Sequence, residues 1–240
     1  MEGFVSGFLD FLPTLWEGIL YTLVLTVLGA ALSLLLSFVF GLMALSPAMW
    51  VRFVSRVVVE FFRGTSLLVQ LFWLFFVLPF FGVQLIPIAT GVVALGLNYG
   101  AYGSEVVRGA INAVPRAQWE ATVALNMGRA QRMRRVILPQ AIVGMIPPFG
   151  NWLIQLLKGS ALVSAIGLTD ITFEALKYRS ATGDTIVAFG AALIVYFILA
   201  QLCAFGMRLL ERRAKRGIGQ QPEGGLLGST LDRFRGMEVT

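Results

Sequence analysis

The residues of this chain that could take part in chemistry are few, because it has no histidine and a single cysteine. Imidazole is the commonest metal ligand and the usual proton carrier near neutral pH. Cys203 alone forms neither a disulfide framework nor a cysteine-cluster metal site. It lies in an apolar run, where a free cysteine packs as a small hydrophobic side chain. The sequence therefore predicts no histidine-based or cysteine-based metal or catalytic site.

The next candidates are polar side chains placed within apolar sequence. Such groups are costly in a bilayer, so they indicate either a solute pathway or hydrogen bonds between helices. Asn98, Tyr102 and Glu105 follow one another at helical spacing and share one face. Glu105 also precedes Arg108 by three residues, so an ion pair within the helix competes with a pathway role. Both interpretations stay open for the whole set, which is Asn98, Tyr102, Glu105, Asn151, Gln155, Ser160 and Ser164.

The most polar internal stretch is the basic block at 115–141, PRAQWEATVALNMGRAQRMRRVILPQA. Its first residue is a proline, which suits the first turn of a helix running through Leu125. Asn126 and Gly128 tolerate the left-handed conformation that ends helices, and a second short helix is expected from Arg129. An apolar face with a basic rim fits a groove on a partner protein, and it also fits an anionic lipid surface.

The polar candidates lie within apolar runs, and the basic block lies between them. These runs are long enough to cross a bilayer core of about 30 Å. The chain is 57% hydrophobic and 13% charged, whereas soluble domains average about 25% charged residues. We predict an all-α integral membrane fold with five transmembrane helices at about 18–46, 64–81, 88–108, 136–158 and 185–208. Together with a loop at 109–135 they form a transmembrane domain, 1–216, followed by a mobile tail, 217–240.

Two of the predicted spans have features that set their packing. The third span contains Gly96 and Gly100, whose spacing allows two helix backbones to approach closely. The fourth contains Pro139, Pro147 and Pro148, so we expect it to be kinked or partly unwound inside the span.

The distribution of basic residues predicts the orientation. All lysines and arginines except Lys158, Lys177 and Arg179 lie in the loops after spans one and three or in the C-terminal tail. The positive-inside rule then places the N-terminus outside and the C-terminus in the cytoplasm. The basic block is therefore predicted to be cytoplasmic, and the net charge of +6 reflects topology rather than nucleic-acid binding.

Four segments, in order, resemble bacterial ABC-importer permeases of the polar amino-acid family, the histidine, glutamine and arginine type. Within the basic block, Glu120, Ala121 and Thr122 with Asn126, Val136 and 138–139 resemble the EAA---G---------I-LP signature. Three further segments also resemble the family, namely FFRGTSLLVQLF, GAYGSEVVRGAI and LLKGSALVSAIGLTD. The departures are Ser66, Thr122, Asn126 and residues 159–161, and the overall pattern is also similar to ectoine and hydroxyectoine permeases.

The resemblance implies a type I ABC-importer permease fold with a cytoplasmic coupling helix, in the bacterial inner membrane. Such a subunit would move a polar amino acid or a zwitterionic, ectoine-like compatible solute into the cytoplasm. The implied partners are a cytoplasmic ATPase dimer, an extracytoplasmic solute-binding protein, membrane lipid and a second permease, with a related chain favoured over a second copy. The implied ATPase-coupling residues are Glu120, Ala121, Leu125, Asn126, Met127, Arg129 and Arg132.

The sequence has no glycine-rich phosphate loop of the G-x-x-x-x-G-K-[ST] type. We therefore expect a translocation subunit rather than an enzyme, with no cofactor of its own and with ATP and Mg in the partner ATPase. The alternative is a stand-alone secondary transporter or a structural membrane protein with a lipid-facing basic helix. Five spans without detectable repeated halves are few for a secondary transporter. A structural membrane protein leaves the four ordered motifs unexplained.

Overall fold

The structure is a computed structural model, and it describes residues 2–217. The described residues form helices and no strands, which confirms the all-α class. The predicted tail lies outside them, apart from its first residue. The α-helices are α1 (Glu2–Ala44), α2 (Met49–Gly64), α3 (Leu67–Phe72), α4 (Pro87–Asn112), α5 (Arg116–Ala124), α6 (Arg129–Arg132), α7 (Leu138–Gly159), α8 (Ile171–Thr182) and α9 (Thr185–Gly217).

Three stretches are long and apolar enough to cross a membrane, namely Phe11–Ala44, Arg129–Ile166 and Thr185–Ala214. A fourth crossing results if α2 and the helical segment Leu67–Phe81, which meet at 102°, form one broken span. Helix α4 covers the predicted third span but is not among these candidates. Twelve of its residues are buried inside the bundle, so α4 does not need an apolar surface all round. The described residues thus contain three to four candidate spans.

The glycines of α4 allow it to lie directly against α1. A Cβ atom added to Gly96 would come within 2.5 Å of Leu32, and one added to Gly100 would lie 2.7 Å from the Cβ of Leu36. Real Cβ atoms do not approach this closely, so both positions require the absence of a side chain. The predicted packing role of this glycine pair is confirmed.

Of the two expectations for span four, a kink or partial unwinding, helix α7 rules out unwinding at Pro147 and Pro148. The helix continues through Pro147 and Pro148, and the irregular turns flank it instead, as a π-helical turn at Met133–Ile137 and a 3-10 segment at Ser160–Ile166. Two prolines remove two backbone donors from the ladder. Two bonds to α4 hold the helix nearby, since Trp152 Nε1 donates to the Tyr99 carbonyl at 2.8 Å and Tyr99 donates to the Gln155 carbonyl at 2.8 Å.

A buried carboxylate, Asp170, joins α8 to α9. It caps α8 by accepting from the Phe173 backbone N–H at 2.9 Å, and it also accepts from the Tyr196 hydroxyl at 3.0 Å. The residue is fully buried. Burial raises the pKa of Asp170 from 3.8 to about 6, against the smaller opposing effect of these hydrogen bonds.

We predict that Asp170 makes the fold more stable as the pH falls. Because its pKa is higher in the folded than in the unfolded chain, protonation favours folding. This contribution is complete below about pH 3.8 and is lost as the pH rises through about 6. Asp170→Asn keeps a capping side chain but does not titrate. The melting temperatures of the wild type and of Asp170→Asn are measured in detergent at pH 7 and at pH 5. Relative to the variant, the wild type should melt at a higher temperature at pH 5 than at pH 7. An identical pH dependence in the two proteins would refute this role.

Candidate functional site

A cleft of about 620 Å³ lies between α4, α7 and the link that joins α2 to α3. The chain forms it because α2 ends at Gly64 and the next helix leaves at a steep angle, which exposes the link between them. None of the lining side chains is charged, and several carry amides or hydroxyls. The lining residues are Thr65, Ser66, Leu67, Asn98, Tyr99, Tyr102, Val106, Pro148, Asn151, Trp152, Gln155, Gly159 and Leu162.

Four of the seven predicted pathway residues line this cleft: Asn98, Tyr102, Asn151 and Gln155. The other three do not. Ser160 and Ser164 donate to carbonyls three residues earlier, those of Leu157 at 2.7 Å and Ala161 at 2.8 Å.

Glu105, the remaining predicted pathway residue, pairs with Arg108, whose Nε donates to its carboxylate at 3.1 Å. It lines a separate pocket rather than the cleft. The structure therefore contains the ion pair within α4 that competed with a pathway role in the sequence.

One wall of the cleft is held by amides that satisfy the carbonyls freed where α2 ends. Asn98 donates to the Phe62 carbonyl at 3.0 Å and to the Gln70 amide oxygen at 3.2 Å. Gln70 in turn donates to the same carbonyl at 3.0 Å and to the Thr65 hydroxyl at 2.7 Å. Helix ends leave carbonyls without intrahelical partners, so these bonds fix the link. The sequence did not point to Gln70, although it is the only amide between Ser66 and Gly82.

Tyr102 has a similar positioning role. Its hydroxyl donates to the Arg63 carbonyl at 3.3 Å, and the Arg63 guanidinium lies 5.5 Å from the centre of its ring. In contrast, the side-chain amides of Asn151 and Gln155 make no hydrogen bond within residues 2–217. Their donors and acceptors thus remain available to a polar molecule in the cleft.

The basic block contains the helices that the sequence predicted. Helix α5 is followed by Asn126 with φ +52°, which confirms the left-handed end expected there. The same expectation for Gly128 is wrong. Gly128 has φ −62° and ψ 155° and forms the N-cap of α6, which begins at Arg129 as predicted. Both Asn and Gly tolerate left-handed and extended backbone. Which of the two residues is left-handed here therefore depends on where the next helix begins.

Helix α5 is anchored on one side and exposed on the other. Thr122 is buried, and Trp119 packs against the core cluster that includes Ile137. On the open side, Leu125 is 74% and Val123 57% exposed. Leu125 and Val123 thus form an exposed apolar surface on a short polar loop.

Leu125 is one of the seven predicted coupling residues, and the other six also lie between 120 and 132 with at least part of the side chain accessible. Arg132 also donates to the Met127 carbonyl at 3.3 Å, which braces the turn between α5 and α6. The six are Glu120, Ala121, Asn126, Met127, Arg129 and Arg132.

Comparison with known proteins identifies the chain's relatives. Residues 33–216 match the family described as binding-protein-dependent transport system inner membrane component. The chain is 44% identical over 218 residues to the probable amino-acid ABC transporter permease protein y4tF of Sinorhizobium fredii, with 88% of this chain and 92% of that protein covered. It is 37% identical over 212 residues to the L-cystine transport system permease protein TcyB of Bacillus subtilis, covering 88% and 91%.

Solved structures agree with this relationship. A crystal structure of an amino acid ABC transporter with histidines superimposes with a TM-score of 0.81 at 36% identity, covering 88% of this chain and 98% of that one. The MetNI methionine ABC transporter in an inward-facing conformation shares the fold, with a TM-score of 0.73 at 22% identity over 85% and 97%. The predicted family, importer function and inner-membrane location are confirmed, and the prediction of a translocation subunit rather than an enzyme agrees with these relatives. The chain belongs to the family of binding-protein-dependent transport system inner membrane components and is a permease subunit of an ABC importer.

Proposed function

We propose that this permease moves a zwitterionic amino acid, or a related compatible solute such as an ectoine, that carries no net charge. The observation that supports this is the cleft, whose lining is polar but contains no charged side chain. A cationic or anionic side chain would enter it without a counter-charge, which is costly away from water. Relatives of this chain are named for cystine, arginine and glutamine transport, so the family accommodates several cargo charges.

We infer a five-span topology, with the N-terminus outside and both the basic block and the C-terminus in the cytoplasm. The asymmetry of lysine and arginine supports this orientation. In it, α4 is the third crossing, shielded by its neighbours. The segment Leu67–Phe81 forms the second crossing, and α2 lies along the cytoplasmic surface of the membrane.

We also propose that α5 and the turn after it dock on a cytoplasmic ATPase. The exposed Leu125 and Val123 would contact the partner's groove, and Glu120 and Arg129 would lie beside them. This segment is rigidly held by Thr122 and the core beneath it, so closure of the ATPases would be transmitted to the bundle. A second permease and a solute-binding protein complete the assembly. Sinorhizobium fredii has two permease proteins similar to this chain, y4tF and y4tG, which supports a pair of related chains.

The cargo proposal is tested by uptake into vesicles that contain the complete importer with its binding protein. Labelled neutral amino acids and ectoine, supplied in turn, should include a transported solute. Uptake of labelled arginine and glutamate in the presence of ATP should not exceed the background uptake measured in its absence. Transport restricted to a charged solute would contradict the proposal while leaving the importer function intact.

We predict that Asn151→Ala combined with Gln155→Ala weakens solute use in the same assay. Each lost hydrogen bond to the solute is worth about 1 kcal/mol, so KM should rise roughly tenfold or more. Glu105→Gln is the matched control, because its side chain lies outside the cleft, and it should leave KM unchanged. A larger effect of the control than of the double variant would assign the pathway to the wrong pocket.

A further inference from the structure

A second pocket of about 420 Å³ lies between α2, α4 and the last residues of α1. It shares no lining residue with the cleft. Its walls carry six charged side chains, four basic and two acidic. They are Arg52, Arg56, Glu60, Arg63, Glu105 and Arg108.

The charges in this pocket do not balance. Arg63 lies 3.6 Å from Glu60, and Arg108 pairs with Glu105. Arg52 and Arg56 have no ion-pair partner among residues 2–217. They lie four residues apart, which places them on one face of α2. The pocket therefore presents two uncompensated guanidinium groups.

A further guanidinium, that of Arg63, lines the same pocket. Nε of Arg63 is buried and has no acceptor among the described residues. Guanidinium groups bind phosphate oxygens through charge-assisted hydrogen bonds, often two at a time. A phosphate, with several oxygens and a negative charge, matches this set of donors.

The surfaces on either side of the pocket are apolar. On the opposite face of α2, Trp50 is 80% and Phe61 60% exposed, and on α1 Leu35 is 60% exposed. An amphipathic helix with arginine on one face and tryptophan and phenylalanine on the other is typical of a membrane interface. The pocket thus combines an anion site with adjacent surface for hydrocarbon chains.

We propose that this pocket binds the headgroup phosphate of an anionic phospholipid, with its acyl chains along α1 and α2. The inference rests on the proposed orientation, which places the end of α1 at the cytoplasmic leaflet, where basic pockets between helices meet anionic lipid. The lipid would brace α2 against α4 next to the link that forms one wall of the cleft.

The test uses the intact complex, purified and exchanged into detergent with phosphatidylglycerol or phosphatidylcholine. Lipid that remains bound is quantified by native mass spectrometry. The wild type should retain phosphatidylglycerol preferentially, and Arg52→Gln with Arg56→Gln should retain it roughly 30-fold less well, at about fivefold for each arginine lost. The matched control is Arg212→Gln with Arg213→Gln, two exposed arginines of α9; it removes equal charge and should retain lipid as the wild type does.

Equal losses in the two double variants, or no preference for phosphatidylglycerol in the wild type, would overturn the proposal. Stabilisation by inorganic phosphate alone to the same melting temperature as by lipid would assign the site to a free anion instead and overturn it as well. The single variant Arg56→Gln, with a loss of about fivefold expected, keeps the test decisive if the double variant does not fold. The ATPase is counted in the same spectra, so its absence would count against the proposed function and not against lipid binding.

Discussion

Glu120→Lys should reduce solute uptake roughly a hundredfold while the permease still inserts and accumulates normally. Glu120 is exposed on α5, and no ion pair within the described residues involves it. The substitution therefore removes no contact that the fold needs. At the proposed contact with the ATPase, the substitution would replace a negative side chain by a positive one. Disruption of a close interfacial charge pair costs about 2–5 kcal/mol.

Uptake and ATP hydrolysis, measured on the same reconstituted complex, check this prediction. Loss of uptake with ATPase activity no longer stimulated by solute-loaded binding protein would indicate uncoupling. The matched control is Glu17→Lys, an exposed glutamate of α1 with the same change of charge, placed by the proposed topology at the opposite side of the membrane. Wild-type uptake by Glu120→Lys would remove Glu120 from the proposed contact.

Gly100→Val should prevent α4 from packing against α1 and sharply lower the yield of folded protein. The added Cβ would lie 2.7 Å from the Cβ of Leu36, an atom fixed to the backbone of α1, so that only movement of a whole helix relieves the overlap. Overpacking of this kind costs about 1–3 kcal/mol and occasionally more.

Gly109→Val in the same helix is the control, because a Cβ there meets nothing within 4 Å. Both substitutions exchange glycine for a β-branched residue within α4, so the intrinsic effects on helix formation are comparable. The fraction of monodisperse protein that survives heating in detergent should fall for the first variant and stay near the wild type for the second. Equal losses would mean that helix propensity, rather than the α1–α4 contact, explains the effect.

The packing of α4 on α1 could be predicted because it depends on local information. Glycines four residues apart in an apolar helix have few other uses, and Gly96 and Gly100 do face α1. The left-handed Asn126 was predictable for the same reason, since few other residues tolerate that conformation and a helix had to end there. Where two tolerant residues competed, as with Gly128, local sequence did not decide.

The wall of the cleft could not be predicted from spacing alone. Helical periodicity placed Asn98, Tyr102 and Glu105 on one face. It does not show where another helix ends and leaves its last carbonyls without partners in that helix. The carbonyl of Phe62 accepts a hydrogen bond from Asn98, and that of Arg63 accepts one from Tyr102. Gln70 also donates to the Phe62 carbonyl, which it reaches because of the 102° bend. Long-range geometry of this kind separates residues that position the cleft from residues free to contact a solute.

We propose above all that the segment from α5 to α6 couples this permease to an ATPase. A tagged chain carrying Cys203→Ser and Leu125→Cys provides the most direct measurement, because the new thiol lies on the exposed side of the loop. After cross-linking in native membranes and gentle purification, mass spectrometry should identify a soluble ATPase joined through residue 125, together with a second permease. Recovery of the intact permease with no ATPase attached, by cross-linking or by co-purification, would contradict the account and favour a basic helix that rests on lipid.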